Sequence, residues 1–144
     1  AANYSHERQR REPLPDGRVI MHNPPSHKGD AMESTCDIAS RRCHPCEGGV
    51  PALSDGKIEE LLTMIAGWRR TPEPAIEKTF NFRNHYETMT FVNAVAWVSH
   101  REDHHPEMIV GYNTCAVRYW THAIKGLSEN DFICAAKVDK LYEI

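Results

Sequence analysis

The distribution of proline limits where this chain can build a regular core. Five of the nine prolines lie within the first 45 residues, and neither a helical nor a strand period persists there. Proline removes a backbone donor and interrupts helices and central strands, so little core is expected in this segment. We therefore predict a loosely ordered extension over residues 1–46 and a folded domain over residues 47–144. A domain of that size supports one modest core, which favours association between subunits.

Three segments of the predicted domain have the apolar period of an α-helix. The first is capped by Ser54 and ends at Gly67, with apolar residues at helical spacing between them. The second runs from Asn84 to about residue 100. The third follows Ser128, which forms a capping box in outline with Asp131.

Strand patterns lie between these helices, over residues 76–82, 108–112 and 115–121. A further short strand is compatible with the sequence after Trp68. The resulting order, α-β-α-β-β-α, does not alternate regularly. We therefore predict an α+β fold, with a small antiparallel sheet of about four strands and helices packed on one face. Exposed edges of such a sheet favour pairing between subunits.

Composition excludes several classes of function. The net charge is −3 and the sequence pI is near 6.3, which argues against a nucleic-acid-binding surface. The mean hydropathy is −0.58, and no apolar run approaches the roughly 18 residues of a membrane span. The first residues have no apolar core of a signal peptide, and the five cysteines are odd in number, so we predict a cytoplasmic protein with reduced thiols. Phosphate-loop, dinucleotide, serine-hydrolase and HExxH motifs are missing from the sequence.

Histidine is the residue type that points to chemistry. Five of the nine histidines fall within residues 85–122, and two of them form Asp103-His104-His105-Pro106 after the second predicted helix. Adjacent residues in an extended segment point in opposite directions, so His104 and His105 would face different surroundings. A third histidine follows Thr121 at a strand end. Such imidazoles suit general acid–base catalysis near neutral pH.

A zinc site is the competing interpretation of the cysteines. Cys43 and Cys46 have the spacing of half a zinc knuckle, and Cys36 or His44 would have to complete the site. A structural site normally has four well-spaced ligands, so we favour a turn with incidental thiols. We predict no metal.

Trp68 and Trp120 are by default core or interface residues.

Several blocks together resemble the pterin-4a-carbinolamine dehydratases over about 95 residues. The blocks are Gly67-Trp68, Phe80-Asn-Phe82, Phe91-Val-x-x-Val95, Asp103-His-His-Pro106, Tyr112-Asn113, Thr121-His122, Gly126-Leu-Ser128, Asp131 and Ala135-Ala136. The resemblance implies an α+β subunit that forms homodimers or homotetramers. It also implies loss of water from 4a-hydroxytetrahydrobiopterin, giving quinonoid dihydrobiopterin in the recycling of tetrahydrobiopterin. The pterin is then the substrate, and no cofactor is needed.

The resemblance also implies roles for particular residues. His104, His105 and His122 correspond to the catalytic histidines, and we expect His105 and His122 to be the acid–base pair while His104 binds and orients. Residues implied in substrate binding are Asp103, Pro106, Thr121, Ala123, Ile124, Trp68 and Asp131. Where the family often carries Glu, four residues before the first histidine of the pair, this chain has His100.

Other functions stay open at this point. Some members of the family bind a homeodomain transcription factor as a dimerisation cofactor, which would add a nuclear location. A helix face with Met89, Val92, Ala96 and Ser99 could serve such a partner. A role in molybdopterin or folate metabolism would use a similar pocket.

Overall fold

A computed structural model describes residues 35–45 and 51–143. Its helices are α1 (Thr35–Ser40), α2 (Asp55–Leu62), α3 (His85–Glu102) and α4 (Glu129–Tyr142). Its strands are β1 (Arg69–Arg70), β2 (Ile76–Asn81), β3 (Glu107–Val110) and β4 (Thr114–Tyr119), and a short 3-10 turn spans His122–Ile124. The predicted α+β class is confirmed. Among the described residues, no helix is both long and apolar enough to cross a membrane.

The four strands form one antiparallel sheet in the order β1-β2-β4-β3. β2 and β4 are paired along their whole length, from Ile76 opposite Tyr119 to Asn81 opposite Thr114. β1 is the short strand that the sequence allows after Trp68. β3 lies at the other edge of the sheet.

The core lies on one face of this sheet. Ile76 and Phe80 of β2 point inward, as do Cys115, Val117 and Tyr119 of β4, and all five are fully buried. The helices contribute further residues to the same apolar cluster, among them Ile58, Leu61, Phe91, Val95, Phe132, Ile133, Ala135, Ala136 and Val138. The alternation along the strands therefore places the helices on one face, as predicted.

The first predicted helix is shorter than expected. Ser54 is its N-cap, and the Ser54 hydroxyl accepts a hydrogen bond from the Lys57 backbone N–H at 3.4 Å. The α-helix ends at Leu62, five residues before Gly67. The Thr63 hydroxyl donates to the Glu60 carbonyl at 2.6 Å, and the following backbone bonds are of the tighter i to i−3 kind. Gly67 has φ +81°, which reverses the chain before β1.

Part of the segment predicted to be a loose extension is helical. α1 buries Ile38, which is 1 % exposed and belongs to the same core cluster as α4. Six residues are too few for a helical period to be recognised in a sequence, so α1 has no distinct sequence pattern. The predicted domain boundary at residues 46 and 47 lies outside the described residues.

The face of α3 that was predicted to be free for a partner is only partly exposed. Ser99 is 1 % exposed, and its hydroxyl donates to the Val95 carbonyl at 2.8 Å, so its assignment to an open face was wrong. The large exposed side chains of α3 are instead Tyr86, Met89 and Trp97. Their spacing of three and eight residues places them on one side of the helix.

Candidate active site

The turn after α3 directs His104 into the protein. Asp103 ends the helix in the left-handed region, with φ 50° and ψ 39°, and the His104 backbone N–H then bonds to the Ser99 carbonyl. The His104 side chain is 9 % exposed, and its ring lies parallel to that of Tyr119 at 5.7 Å between centroids. Its Nε2 lies 2.6 Å from Oδ1 of Asp131. His104 is therefore held in one orientation by a carboxylate and an aromatic face.

Asp131 is the centre of this hydrogen-bond network. Its side chain is fully buried at the start of α4. One oxygen faces His104, while Oδ2 accepts from the Thr121 hydroxyl at 2.9 Å and from the Ser128 backbone N–H at 2.8 Å. The Ser128 and Thr121 hydroxyls also lie 2.8 Å apart. Asp131 thus completes the predicted capping box and binds a histidine with the same carboxylate.

The Thr121 backbone positions the third histidine. Thr121 pairs with Gly126 in an isolated antiparallel bridge, which closes the 3-10 turn that begins at His122. Gly126 allows a close approach here, because an added Cβ would lie 2.7 Å from the Cβ of Ala52. The His122 ring is exposed and lies 4.6 Å from the ring of Trp120. His122 is therefore anchored through Thr121 and accessible from solvent.

A cleft of about 530 Å³ lies beside His122. This volume is within the range of ligand-binding pockets. Its described lining residues are Glu73, Pro74, Ala75, Glu107, Arg118, Trp120, His122 and Lys125. Arg118 is held by Glu77, at 3.0 Å, and lies 3.4 Å from Glu107. The cleft combines an aromatic ring, an imidazole and charges of both signs, which suits a flat polar heterocycle.

The predicted histidines do not all lie in the described lining of this cleft. His122 does, whereas His104 is turned to Asp131 and His105 is exposed next to it. The opposite exposure of His104 and His105 follows the expected alternation. Of the predicted substrate-binding residues outside the network, Asp103 and Ala123 are exposed, Pro106 and Ile124 are half-buried, and Trp68 is buried.

Trp68 belongs to a second buried polar group rather than to the described cleft lining. Its indole N–H is 3.1 Å from both carboxylate oxygens of Asp139, and Lys78 Nζ lies 2.8 Å from Oδ1. Burial raises the pKa of Asp139, and the hydrogen bond from Lys78 acts in the opposite direction. Trp68 also contacts Tyr119, at 6.1 Å between ring centroids. Trp68 and His104 therefore both lie next to the Tyr119 ring.

Tyr119 supplies the aromatic face between these two groups. Burial raises the pKa of its phenol, so the ring stays neutral at physiological pH. Its hydroxyl lies 3.4 Å from the Ser99 hydroxyl. A neutral, fully buried ring of this kind fixes the plane of the His104 imidazole.

Of the eight described lining residues of the cleft, only His122 was predicted from the sequence. The other seven are Glu73, Pro74, Ala75, Glu107, Arg118, Trp120 and Lys125. Trp120 was assigned by default to the core or an interface. A signal was available, since Trp120 follows the inward-facing Tyr119 and the next residue of a strand points the other way. Glu107 and Lys125 have no such signal in the sequence.

Within the described residues, no group of three or more His, Cys, Asp or Glu side chains could hold a metal ion. Of the predicted zinc ligands, Cys46 and the side chain of Cys36 lie outside the described residues. Cys43 lies against Cys134 of α4, with 3.5 Å between the sulfur atoms.

Comparisons with known proteins agree with the fold and the motifs. Relatives provisionally named pterin-4-alpha-carbinolamine dehydratases include one from Nitrosomonas eutropha, 62 % identical over 76 % of this chain and 97 % of the relative. Another, from Dechloromonas aromatica, is 58 % identical over 78 % of this chain and 100 % of the relative. A crystal structure of a transcriptional coactivator/pterin dehydratase from Brucella melitensis superposes with a TM-score of 0.62 at 28 % identity, covering 63 % of this chain and 98 % of that chain. The family model for pterin 4 alpha carbinolamine dehydratase matches residues 51–141, and the chain therefore belongs to this family.

Proposed function

We propose that this protein removes water from 4a-hydroxytetrahydrobiopterin to give quinonoid dihydrobiopterin, as a hydro-lyase in tetrahydrobiopterin recycling. The observation that carries the proposal is an exposed imidazole, His122, beside a cleft of suitable size and anchored to a buried His104–Asp131 pair. Membership of the family supplies the substrate class. The proposed reaction needs no metal and no cofactor.

Two accessible imidazoles, those of His105 and His122, share the two proton transfers of the dehydration. Dehydration requires a proton for the departing 4a-hydroxyl group and a base for the proton on N5. His105 and His122 are both exposed, so each can exchange protons with substrate or solvent.

His104 has a different role in this scheme. Its Nε2 is occupied by Asp131, and little of its side chain is exposed. With Asp131 as a carboxylate, Nε2 carries the proton and donates it in the hydrogen bond. His104 would therefore orient the turn that presents His105 and bind substrate through its remaining edge. Trp120 offers its face to the pterin ring in the cleft.

The test is dehydration of chemically prepared 4a-hydroxytetrahydrobiopterin, followed spectroscopically after subtraction of the uncatalysed rate. His105→Ala and His122→Ala should each lose about 10²–10⁴-fold in kcat/KM, the usual contribution of a positioned acid or base. His85→Ala is the matched control, since His85 is exposed at the start of α3 and lies outside the proposed machinery. Equal rates for wild type and His105→Ala would refute the proposal. Faster turnover of a folate or molybdopterin precursor would instead support a role of the enzyme in folate or molybdopterin metabolism.

A second, protein-binding role has one observation in its favour. Tyr86 and Trp97 of α3 are 81 % and 62 % exposed, which is unusual for side chains of this size. We propose that this face makes the helix contacts of a homotetramer, and a coactivator-like partner would compete for it. Sedimentation of the Tyr86→Ser/Trp97→Ser double variant should show smaller assemblies with undiminished dehydration. Wild-type assembly size in the double variant would contradict this role.

A further inference from the structure

Two thiols far apart in the sequence meet at the start of α4. Cys43 and Cys134 are separated by 91 positions, yet their Sγ atoms lie 3.5 Å apart. A disulfide has an S–S distance of about 2.05 Å, so the two sulfur atoms need to approach by only about 1.5 Å. We propose that Cys43 and Cys134 form a reversible intramolecular disulfide, which fastens the segment after α1 to α4. This modification site is independent of the proposed dehydratase activity.

The backbone around Cys43 is held in place by side chains of both neighbouring helices. The Cys43 N–H donates to Oε2 of Glu102 at 2.9 Å. The His44 N–H donates to the Asn130 side-chain oxygen at 3.0 Å, and the Asn130 amide donates back to the His44 carbonyl at 2.7 Å. These three bonds fix the segment on both sides of the sulfur atom. The thiol pair is therefore preorganised, which raises the effective concentration of one sulfur at the other.

Glu102 is itself part of this support. Burial acts to raise the pKa of its carboxyl group, but the hydrogen bond from Cys43 and the contact with Lys137 outweigh it and leave the pKa lowered. Lys137 Nζ lies 3.2 Å from Oε1 of Glu102. An ionised Glu102 at neutral pH therefore keeps its bond to the Cys43 backbone.

Accessibility sets the order of the chemical steps. Cys43 is half-buried, whereas Cys134 is fully buried in α4. An oxidant such as glutathione disulfide would react first with Cys43, giving a mixed disulfide and releasing one glutathione thiol. The Cys134 thiol then attacks the Cys43 sulfur and releases the second glutathione thiol. In total two protein thiols lose two electrons and two protons, and one glutathione disulfide becomes two thiols.

The second step should be the slow one. The hydrogen bond with Cys43, followed by burial, raises the pKa of Cys134, so little thiolate is present at neutral pH. A buried thiol can also simply fill space as a small apolar group, and the experiment separates these two outcomes.

The experiment uses the full chain, incubated under native conditions with glutathione disulfide and then alkylated. Intact-mass measurement after alkylation of the unfolded protein should show three alkylated thiols in place of five, and peptide mapping should find Cys43 linked to Cys134. Because the link closes a long loop, the melting temperature should rise by at least about 5 °C and return on reduction. Mapping is done on the wild-type protein, so the test does not depend on how any variant folds.

Matched variants identify the pair. Cys115→Ala is the control: Cys115 is also buried, and its thiol bonds to the Ala116 carbonyl. The Cys115→Ala variant should still form the Cys43–Cys134 disulfide and show the rise in melting temperature. Cys43→Ser and Cys134→Ala should show neither. A bridge from Cys43 to Cys36 or Cys46, or a Cys134 thiol that stays reduced while Cys43 is oxidised, would overturn the proposal.

Discussion

Removing the Asp131 carboxylate should destabilise the fold more than any other single change at the candidate site. In Asp131→Ala, the His104 Nε2 and the Ser128 N–H lose their partners, whereas the Thr121 hydroxyl keeps the Ser128 hydroxyl. A hydrogen bond to a charged group contributes about 1.5–3 kcal/mol, and a helix cap about 1 kcal/mol. The two contributions together give an expected loss of about 2.5–4 kcal/mol in the free energy of unfolding.

Urea unfolding at neutral pH measures this loss. Glu129→Gln is the matched control, since Glu129 lies in the same first turn of α4 but is exposed, and its change should stay within about 1 kcal/mol. Asp131→Asn keeps the size of the side chain and one acceptor oxygen, so it should lose about half as much as Asp131→Ala. A loss below about 1 kcal/mol for Asp131→Ala would refute the reasoning, because a fully buried group with three donors cannot be that dispensable.

Two further predictions concern the rest of the domain. Because burial raises the pKa of Asp139 above its usual 3.8, the stability of wild type relative to Asp139→Asn should be greatest below that pH and should decline as pH rises through the folded-state pKa. Urea unfolding of both proteins from about pH 3 to about pH 7 checks this sign, and a difference that grows with pH would contradict it. Ile38→Ala should lose about 2–4 kcal/mol, since Ile38 is 1 % exposed. Urea unfolding measures this loss, with the exposed Ser40→Ala as the control. Equal stability of Ile38→Ala and wild type would mean that α1 is not part of the core.

Long periodic segments were the predictable part of the fold. The helices starting at Ser54, Asn84 and Ser128 begin where their caps are, because a cap residue and an apolar period are both local signals. α1 was missed because six residues carry too little period. The end of α2 was misplaced because Thr63 competes with the helix through its own hydroxyl.

Local features of the candidate site could be predicted from the sequence, but the arrangement of its side chains could not. The alternation of side chains gave the opposite exposure of His104 and His105, and the Ser128–Asp131 spacing gave the cap. The sequence could not show that Oδ1 of Asp131 meets His104, since this contact depends on how the end of α3 packs against the start of α4. Trp120 was missed for a related reason: the outward face of a strand becomes a cleft wall only through loops outside the strand.

The two oxygens of Asp131 couple the folding of α4 to the geometry of the site. Oδ2 bonds to the Ser128 N–H and the Thr121 hydroxyl, while Oδ1 holds His104. A carboxylate is rigid and planar, so a shift of the cap must also move the His104 contact. Thr121 carries the same constraint to His122, its neighbour in the chain. The cap and the histidine positions therefore form one unit, and Asp131→Ser, which has no carboxylate, should recover at most the helix-cap share of the stability and should leave His104 without its partner.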